Sequence, residues 1–173
     1  MGPEKSGRKA LRQRITRYIR ASAPTFADIF HLVRQLEPLG PVAVFGGTLR
    51  DWSIHGFKHL PRDVDLVIDC SDIEALQHIL AGFAPRKNNF DGYRLTVGNW
   101  QVDLWPITST WAFRCGHVPG KHFADLPKTT FLNVDGIVFD LQSGQLYCTE
   151  HYSDFLESRV LDINLETNPN PLG

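Results

Sequence analysis

Two aspartates in one apolar segment are the first residues of this sequence that suggest chemistry. Asp63 and Asp65 lie in the segment DVDLVID, where they alternate with Val64 and Leu66. Because successive side chains of a β-strand point to opposite faces, we expect both carboxylates on one face and both aliphatic side chains in a core. Neighbouring carboxylates repel each other unless water or a cation neutralises them. The pair suggests a cation site, with a solvent-facing strand as an equal alternative on these residues alone.

A third aspartate has the same kind of setting. Asp103 lies between Val102 and Leu104 in the segment WQVDLWPI. If its strand neighbours the strand of the first two aspartates, the three carboxylates converge. Mg²⁺ prefers oxygen ligands and retains several waters, so three carboxylates with space for water suit Mg²⁺ or Mn²⁺.

Two adjacent glycines, Gly46 and Gly47, separate the apolar segment PVAVF from the segment TLRDWSI. A glycine pair between a strand and a helix allows a ligand to approach the backbone, and it leaves amide groups at the helix start, where an anion is favoured. Arg50 adds a cation beside this turn. Together with the carboxylates, these residues favour a site for a nucleoside triphosphate.

The composition is typical of a globular protein. The 173 residues are 42% hydrophobic and 21% charged, which suits one domain or one domain with an extension. No apolar run approaches the roughly 20 residues that a membrane span needs, and the charged N-terminus does not resemble a signal peptide. The cysteines Cys70, Cys115 and Cys148 lie far apart without a C-x-x-C motif, which predicts reduced thiols in the cytoplasm.

Basic residues are concentrated at the N-terminus. Residues 1–20 contain seven Lys or Arg against the single acid Glu4, whereas the whole chain has a net charge of −1. A basic arm on an acidic body suits contact with a polyanion such as RNA, through residues 5–20, near a carboxylate-rich site. A solvated helix face is the simpler alternative.

Hydrophobic periodicity and turn residues predict mixed helices and strands. The predicted helices are residues 8–20, a helix capped by Thr25, a short helix after the glycine pair, residues 72–81 with a capping box of Ser71 and Glu74, and residues 152–157. The predicted strands are residues 41–45 and 63–69, a hairpin of 93–97 with 100–107, a hairpin of 136–140 with 145–149, and a strand-like segment 159–163. This order predicts an α/β (or α+β) domain with a mixed central β-sheet flanked by helices.

These residues also match a known family. FGGTLRDW…LPRDVDLVI resembles the GGxxRD…PxDxD signature of the head domain of bacterial CCA-adding tRNA nucleotidyltransferases and poly(A) polymerases, in the DNA polymerase β-like nucleotidyltransferase superfamily. DLPKTTFLNVDGIVFDLQSGQLYC looks like that family's DLxRRDFTINAxAYDxxxGxLxD, and Asp103 falls where the superfamily has its third carboxylate. The resemblance spans residues 30–165 and implies a polymerase β-like fold, with residues 1–24 as a basic helical arm, 25–165 as the head-like domain and 166–173 as a tail.

Two departures from the family stand out. Its Arg-Arg-Asp is replaced by Lys128-Thr129-Thr130 or by Thr129-Thr130-Phe131, depending on the register. Since those arginines help to hold the nucleotide, triphosphate handling should differ in detail. The sequence also stops where the family's helical neck, with its base-selecting residues, begins, so we do not expect CCA addition by this chain alone.

The resemblance implies transfer of a nucleoside monophosphate from a nucleoside triphosphate to an acceptor hydroxyl, with release of pyrophosphate. In that scheme Asp63 and Asp65 bind one metal ion and share a second with Asp103, which helps to take the acceptor proton. Gly46 and Gly47 hold phosphate through backbone amides.

The resemblance also suggests several weaker assignments. Arg50 is expected to contact phosphate, with Asp51 orienting it. Arg62 and Lys128 are further phosphate candidates, although surface cations often have no specific partner. Trp105 lies on the same strand face as Asp103 and could stack on a base, or belong to the core.

The acceptor and the occurrence of turnover stay open at this stage. An RNA or tRNA 3′ end is favoured slightly by the basic arm, and a protein or a small molecule is the alternative. Small chains of this type also occur as toxins or defence-system components. A nucleotide-binding or scaffold protein without turnover is the main competing function, and a metal-dependent nuclease would leave the glycine pair unexplained.

Overall fold

The structure is a computed structural model of the chain. It describes residues 4–21, 25–56, 63–88 and 91–167. The helices in these ranges are α1 (Glu4–Ala21), α2 (Ala27–Leu36), α3 (Gly47–His55), α4 (Ile73–Leu80), α5 (Trp111–Arg114) and α6 (Glu150–Ser158). The strands are β1 (Val42–Phe45), β2 (Asp63–Ile68), β3 (Arg86–Lys87), β4 (Tyr93–Val97), β5 (Trp100–Pro106), β6 (Ile137–Asp140) and β7 (Leu146–Cys148).

The strands form one mixed sheet in the order β3-β4-β5-β2-β1-β6-β7. β2 and β5 pair in parallel, and the other neighbours pair antiparallel. The predicted fold class is therefore confirmed, as are both hairpins. Gly98, in the turn between β4 and β5, has a φ of 59°, a backbone conformation that favours glycine in two-residue turns.

The two faces of the sheet pack against different groups of residues. Val64, Leu66 and Ile68 of β2 enter the larger core, which is completed by buried residues of α1, α2, α3, α4 and α6. Val67, with opposite orientation, packs in a smaller cluster with residues around α5. The face that holds Val67 is thus only partly covered by apolar side chains.

Helix α1 belongs to the face with the larger core. Its Leu11 and Ile15 are buried in that core. Arg12 donates through Nε to the carbonyl oxygen of Gly144 at 2.6 Å, and the guanidinium of Arg8 donates to the Ser153 hydroxyl at 3.1 and 3.2 Å. Part of the basic charge of this helix therefore holds it against the body of the protein.

Three local predictions are wrong. The N-cap position of α2 is Phe26, without a side-chain hydrogen bond, rather than Thr25. Helix α4 is capped by Asp72, whose carboxylate accepts from the Ala75 amide at 2.9 Å, rather than by Ser71, because the chain enters the helix one residue later. Residues 159–163 form no strand, since Leu132–Ile163 is an isolated bridge.

Two further observations concern membrane-spanning helices and the cysteines. Within the described residues, no helix has both the length and the apolar character needed to cross a membrane. No disulfide joins Cys70, Cys115 and Cys148.

Candidate active site

The parallel pairing of β2 with β5 brings two of the predicted acids together. Asp65 lies directly opposite Asp103 in this register, and Asp63 lies opposite Gln101. Directly paired residues present their side chains on the same face of a sheet, and Asp63 shares that face because it is two residues from Asp65. The predicted neighbourhood of the two strands is confirmed, and the burial of Val64 and Leu66 on the other face agrees with it.

Asp65 has the most perturbed carboxylate in this group. Burial, followed by the charges of Asp103, Asp63 and Asp135, raises the pKa of Asp65 to about 7. A hydrogen bond from the Gly47 amide acts in the opposite direction and lowers that pKa. A buried acid among like charges is an electrostatic setting that a divalent cation would neutralise.

The expected convergence of three carboxylates needs correction. Within the described ranges, no three His, Cys, Asp or Glu side chains come together as a metal-binding group. Asp63 and Asp65 are two positions apart in the strand, about 6.6 Å of rise, and their charges repel. Asp103 instead points both oxygens at Arg94, with Nε–Oδ1 at 3.0 Å and Nη2–Oδ2 at 2.5 Å. The oxygen donors suit Mg²⁺ or Mn²⁺, and an ion at Asp103 would compete with Arg94 for the carboxylate.

The glycine pair forms the turn into α3 beside these acids. Gly46 has a φ of 58°, which a side chain would disfavour. A Cβ on Gly47 would lie 3.4 Å from both Asp65 Oδ2 and Arg50 Nη2, so the backbone approaches both groups closely. The Gly46 amide donates to the Ile137 carbonyl at 3.3 Å, and the Gly47 amide bonds Asp65. A phosphate at this turn would therefore compete with protein acceptors for the predicted amides.

Thr48, which sequence reasoning missed, fixes this turn to β2. Its side chain is buried, and Oγ1 donates to the Asp63 carbonyl at 3.1 Å. The same oxygen accepts from the Asp65 amide at 3.4 Å. The hydroxyl thus sets the distance between the start of α3 and both aspartates.

Arg50 is held by two carboxylates. It donates to Asp51 Oδ1 and to Asp135 Oδ1, each at 2.9 Å. The contact with Asp51 is the one that the resemblance implies. Burial lowers the pKa of Arg50, but hydrogen bonds and charges from Asp51 and Asp135 outweigh burial and leave it raised. Burial raises the pKa of Asp135, which the Arg50 charge partly offsets.

Asp135 and Arg94 are site residues that the sequence interpretation missed. Asp135 is a single acid in a 3₁₀ turn, and no local pattern distinguishes it. The position of Arg94 could have been predicted from the sequence, because a two-residue turn at Gly98-Asn99 places residue 94 opposite residue 103.

Several of these groups line a cleft of about 910 Å³, namely the glycine pair, Arg50, Asp65, Arg94, Asp103 and Asp135. Trp105 and Phe45 meet edge to face in its wall, with ring centroids 5.8 Å apart. Trp111 and Phe131 form a second aromatic pair at 6.0 Å. Such half-exposed rings offer surfaces on which a nucleobase can stack.

The other two predicted phosphate contacts have different outcomes. Lys128 is exposed and binds Asp125 at 3.4 Å, and it does not line the cleft, although its neighbours Thr129 and Thr130 do. Arg62 lies outside the described residues.

The fold consists of a mixed seven-stranded sheet with helices. It matches the nucleotidyltransferase-like head domain of CCA-adding enzymes. An apo CCA-adding enzyme superposes with a TM-score of 0.64 at 15% identity, over 87% of this chain and 36% of the enzyme. The complex of a CCA-adding enzyme with ATP gives 0.61 at 15% identity, with the same coverage. The Thermotoga maritima CCA-adding enzyme complexed with tRNA gives 0.58 at 19% identity, over 82% of this chain and 33% of the enzyme.

This chain therefore spans about a third of the length of the enzymes it resembles. At such identities the similarity shows a shared fold and a distant relationship. No protein-family model matches the sequence, and no curated protein matches it either.

Proposed function

We propose that this protein is a nucleotidyltransferase that moves a nucleoside monophosphate from a nucleoside triphosphate to an acceptor hydroxyl and releases pyrophosphate. The observation that supports it most is the in-register pair Asp65 and Asp103, beside the Gly46–Gly47 turn in one cleft. The same fold occurs in CCA-adding enzymes solved with ATP and with CTP, which supports a nucleotide as the ligand. An RNA or tRNA 3′ end is the proposed acceptor.

In this proposal Asp63, Asp65 and Asp103 are the ligands of Mg²⁺ or Mn²⁺. Bound ions would neutralise triphosphate charge and lower the pKa of the acceptor hydroxyl. The half-buried Asp65, held by the Gly47 amide, is the pre-positioned ligand of the three. Asp103, which lies opposite Asp65 in register, is the proposed group that takes the acceptor proton.

Arg50 is the proposed triphosphate contact. Asp51 and Asp135 hold its guanidinium close to Gly47, so its orientation is set before the ligand arrives. The exposed edge of this half-buried group remains for phosphate oxygens. The aromatic wall of Trp105 and Phe45 is the proposed neighbour of the base.

Label transfer tests the proposal. The protein is incubated with each α-³²P nucleoside triphosphate, Mg²⁺ and total RNA, and products are resolved on a denaturing gel. We expect label on RNA with wild type, and none with Asp103→Ala or with EDTA. Asp154→Ala, which removes an exposed carboxylate on α6, is the matched control and should retain transfer. Transfer that survives both Asp103→Ala and EDTA would contradict the proposal.

A nucleotide-binding protein without turnover is the second candidate. Two observations favour it: Arg94 occupies the carboxylate of the proposed catalytic Asp103, and Lys128-Thr129 or Thr129-Thr130 replaces the family's two arginines. Saturable binding of a triphosphate, with no transfer to RNA, protein or small hydroxyl acceptors, would establish this candidate instead.

A further inference from the structure

Four charged residues form a row across the floor of the cleft. Arg86 of β3 pairs with Arg94 of β4, Arg94 pairs with Asp103 of β5, and Asp103 pairs with Asp65 of β2. Directly paired residues share a face, and all four residues line the cleft. The row therefore runs from two cations at the edge of the sheet to two acids at its centre.

The basic half of this row contains an unfavourable contact. Like charges directly opposite each other on neighbouring strands are destabilising. Arg94 is compensated by its two-pronged pair with Asp103, whereas Arg86 is exposed, and among the described residues no carboxylate forms an ion pair with it. Two adjacent guanidinium groups facing a cleft provide the donor geometry that phosphate oxygens prefer.

Arg94 and a metal ion would compete for the carboxylate of Asp103. Both of its oxygens accept from Arg94 in the structure. If an ion takes one or both oxygens, Arg94 loses its partner but remains beside Arg86, because register fixes both backbones. A phosphate at this position would satisfy both guanidinium groups.

We propose that Arg94 is an exchangeable counter-ion: it holds Asp103 in the metal-free protein and, once a divalent ion binds Asp103, forms a phosphate subsite with Arg86. The inference rests on the proposed function, because the ion is the one proposed there. The subsite lies at the β3–β4 edge, on the other side of Asp65 from β1 and the glycine turn. Its ligand is a phosphate group, either of an acceptor strand or of the nucleotide's own phosphate chain.

The first test measures metal affinity without nucleotide, by Mn²⁺ titration followed by electron paramagnetic resonance. Removing the competing guanidinium in Arg94→Ala should tighten Mn²⁺ binding about fivefold. Arg94→Lys keeps the charge but loses the two-point contact of the guanidinium with Asp103, so its Mn²⁺ affinity should be intermediate. Lys121→Ala is the matched control, since Lys121 is an exposed cation that does not line the cleft, and it should change little.

The second test measures coupling between the ion and phosphate. Binding of pyrophosphate, and of a short oligoribonucleotide with a 2′,3′-dideoxy end, is titrated by calorimetry with and without Mn²⁺. In wild type, Mn²⁺ should strengthen the binding of the phosphate probe severalfold. By linkage, the probe should strengthen Mn²⁺ binding by the same factor. In Arg94→Ala, Mn²⁺ should no longer strengthen binding of the phosphate probe. Arg86→Ala should bind the probe more weakly, but Mn²⁺ should still strengthen that binding. The probe that responds identifies the source of the phosphate.

Two results overturn the exchange and leave the proposed function intact. One is equal Mn²⁺ affinity in wild type and a folded Arg94→Ala variant. The other is full coupling in Arg94→Ala, which would mean that the ion contacts phosphate without help from Arg94. No Mn²⁺ binding by wild type would instead overturn the metal-dependent function and this inference together.

Discussion

The two faces of strand β2 differ sharply. On one face Val64, Leu66 and Ile68 are at most 3% exposed and pack into the larger core. On the other face Asp63 and Asp65 are only partly buried, Asp65 lines an open cleft, and Val67 is the single core residue. The apolar side chains on one face of the strand thus stabilise the fold, whereas the clustered carboxylates on the other face repel each other.

The basic residues divide between the same two faces. Helix α1 packs in the larger core, on the opposite side of the sheet from the carboxylates. Among the described residues, Arg50 of α3 and Arg94 of β4 form ion pairs with acids of the cleft, and Arg86 of β3 lies at the end of the row. Contact of residues 5–20 with RNA stays a prediction, and this geometry separates it from the carboxylates.

Asp65→Ala should produce the largest effect of all the variants. It should lower the activity but not the unfolding free energy. Loss of a ligand should lower kcat about 1,000-fold, which corresponds to about 4 kcal/mol. The measurement is kcat from label transfer beside a urea unfolding curve. Unfolding free energy that falls together with activity would mean that the two faces are not separable.

Leu66→Ala tests the adjacent residue on the core face. Leu66 is fully buried, so its truncation should lower the unfolding free energy by about 3 kcal/mol. Chemical denaturation followed by tryptophan fluorescence measures this loss. At a temperature where the variant is folded, kcat should stay near the wild-type value, and a large fall would show that the core sets the site geometry.

Asp65→Asn should stabilise the metal-free protein. The native state raises the pKa of this acid, so at neutral pH its charge opposes folding, and its removal should add roughly 1 to 3 kcal/mol. The comparison is made by denaturation in EDTA. Adding Mg²⁺ should shrink the difference, because the ion stabilises wild type alone. A variant less stable than wild type in EDTA would refute the unfavourable charge cluster.

Asp135→Asn should have the smallest effect, confined to substrate binding. Weakening the hold on Arg50 should raise KM for the triphosphate about tenfold, equivalent to about 1.4 kcal/mol, with little change in kcat. Steady-state kinetics measure both constants. Asp125→Asn, which weakens an ion pair with Lys128 away from the cleft, is the control and should behave as wild type.

Much of the architecture follows from local patterns. Alternation in β2 predicted the common face of Asp63 and Asp65, and Gly98-Asn99 predicted the β4–β5 hairpin, both of which the structure contains. The cap residues were harder, since Ser71 and Asp72 are both good N-cap residues and the choice depends on where the chain turns. Asp135 was beyond local prediction, because its partner Arg50 is 85 residues away.

The sequence by itself determined which side chains share a strand face, because side-chain direction follows from backbone geometry within a few residues. The tertiary structure alone decided that β2 pairs with β5 in parallel, with Asp65 opposite Asp103. It also decided that Asp103 bonds Arg94 before any ion is bound. Both outcomes depend on competition between distant partners and on charge balance in the folded cleft, which no local window of residues contains.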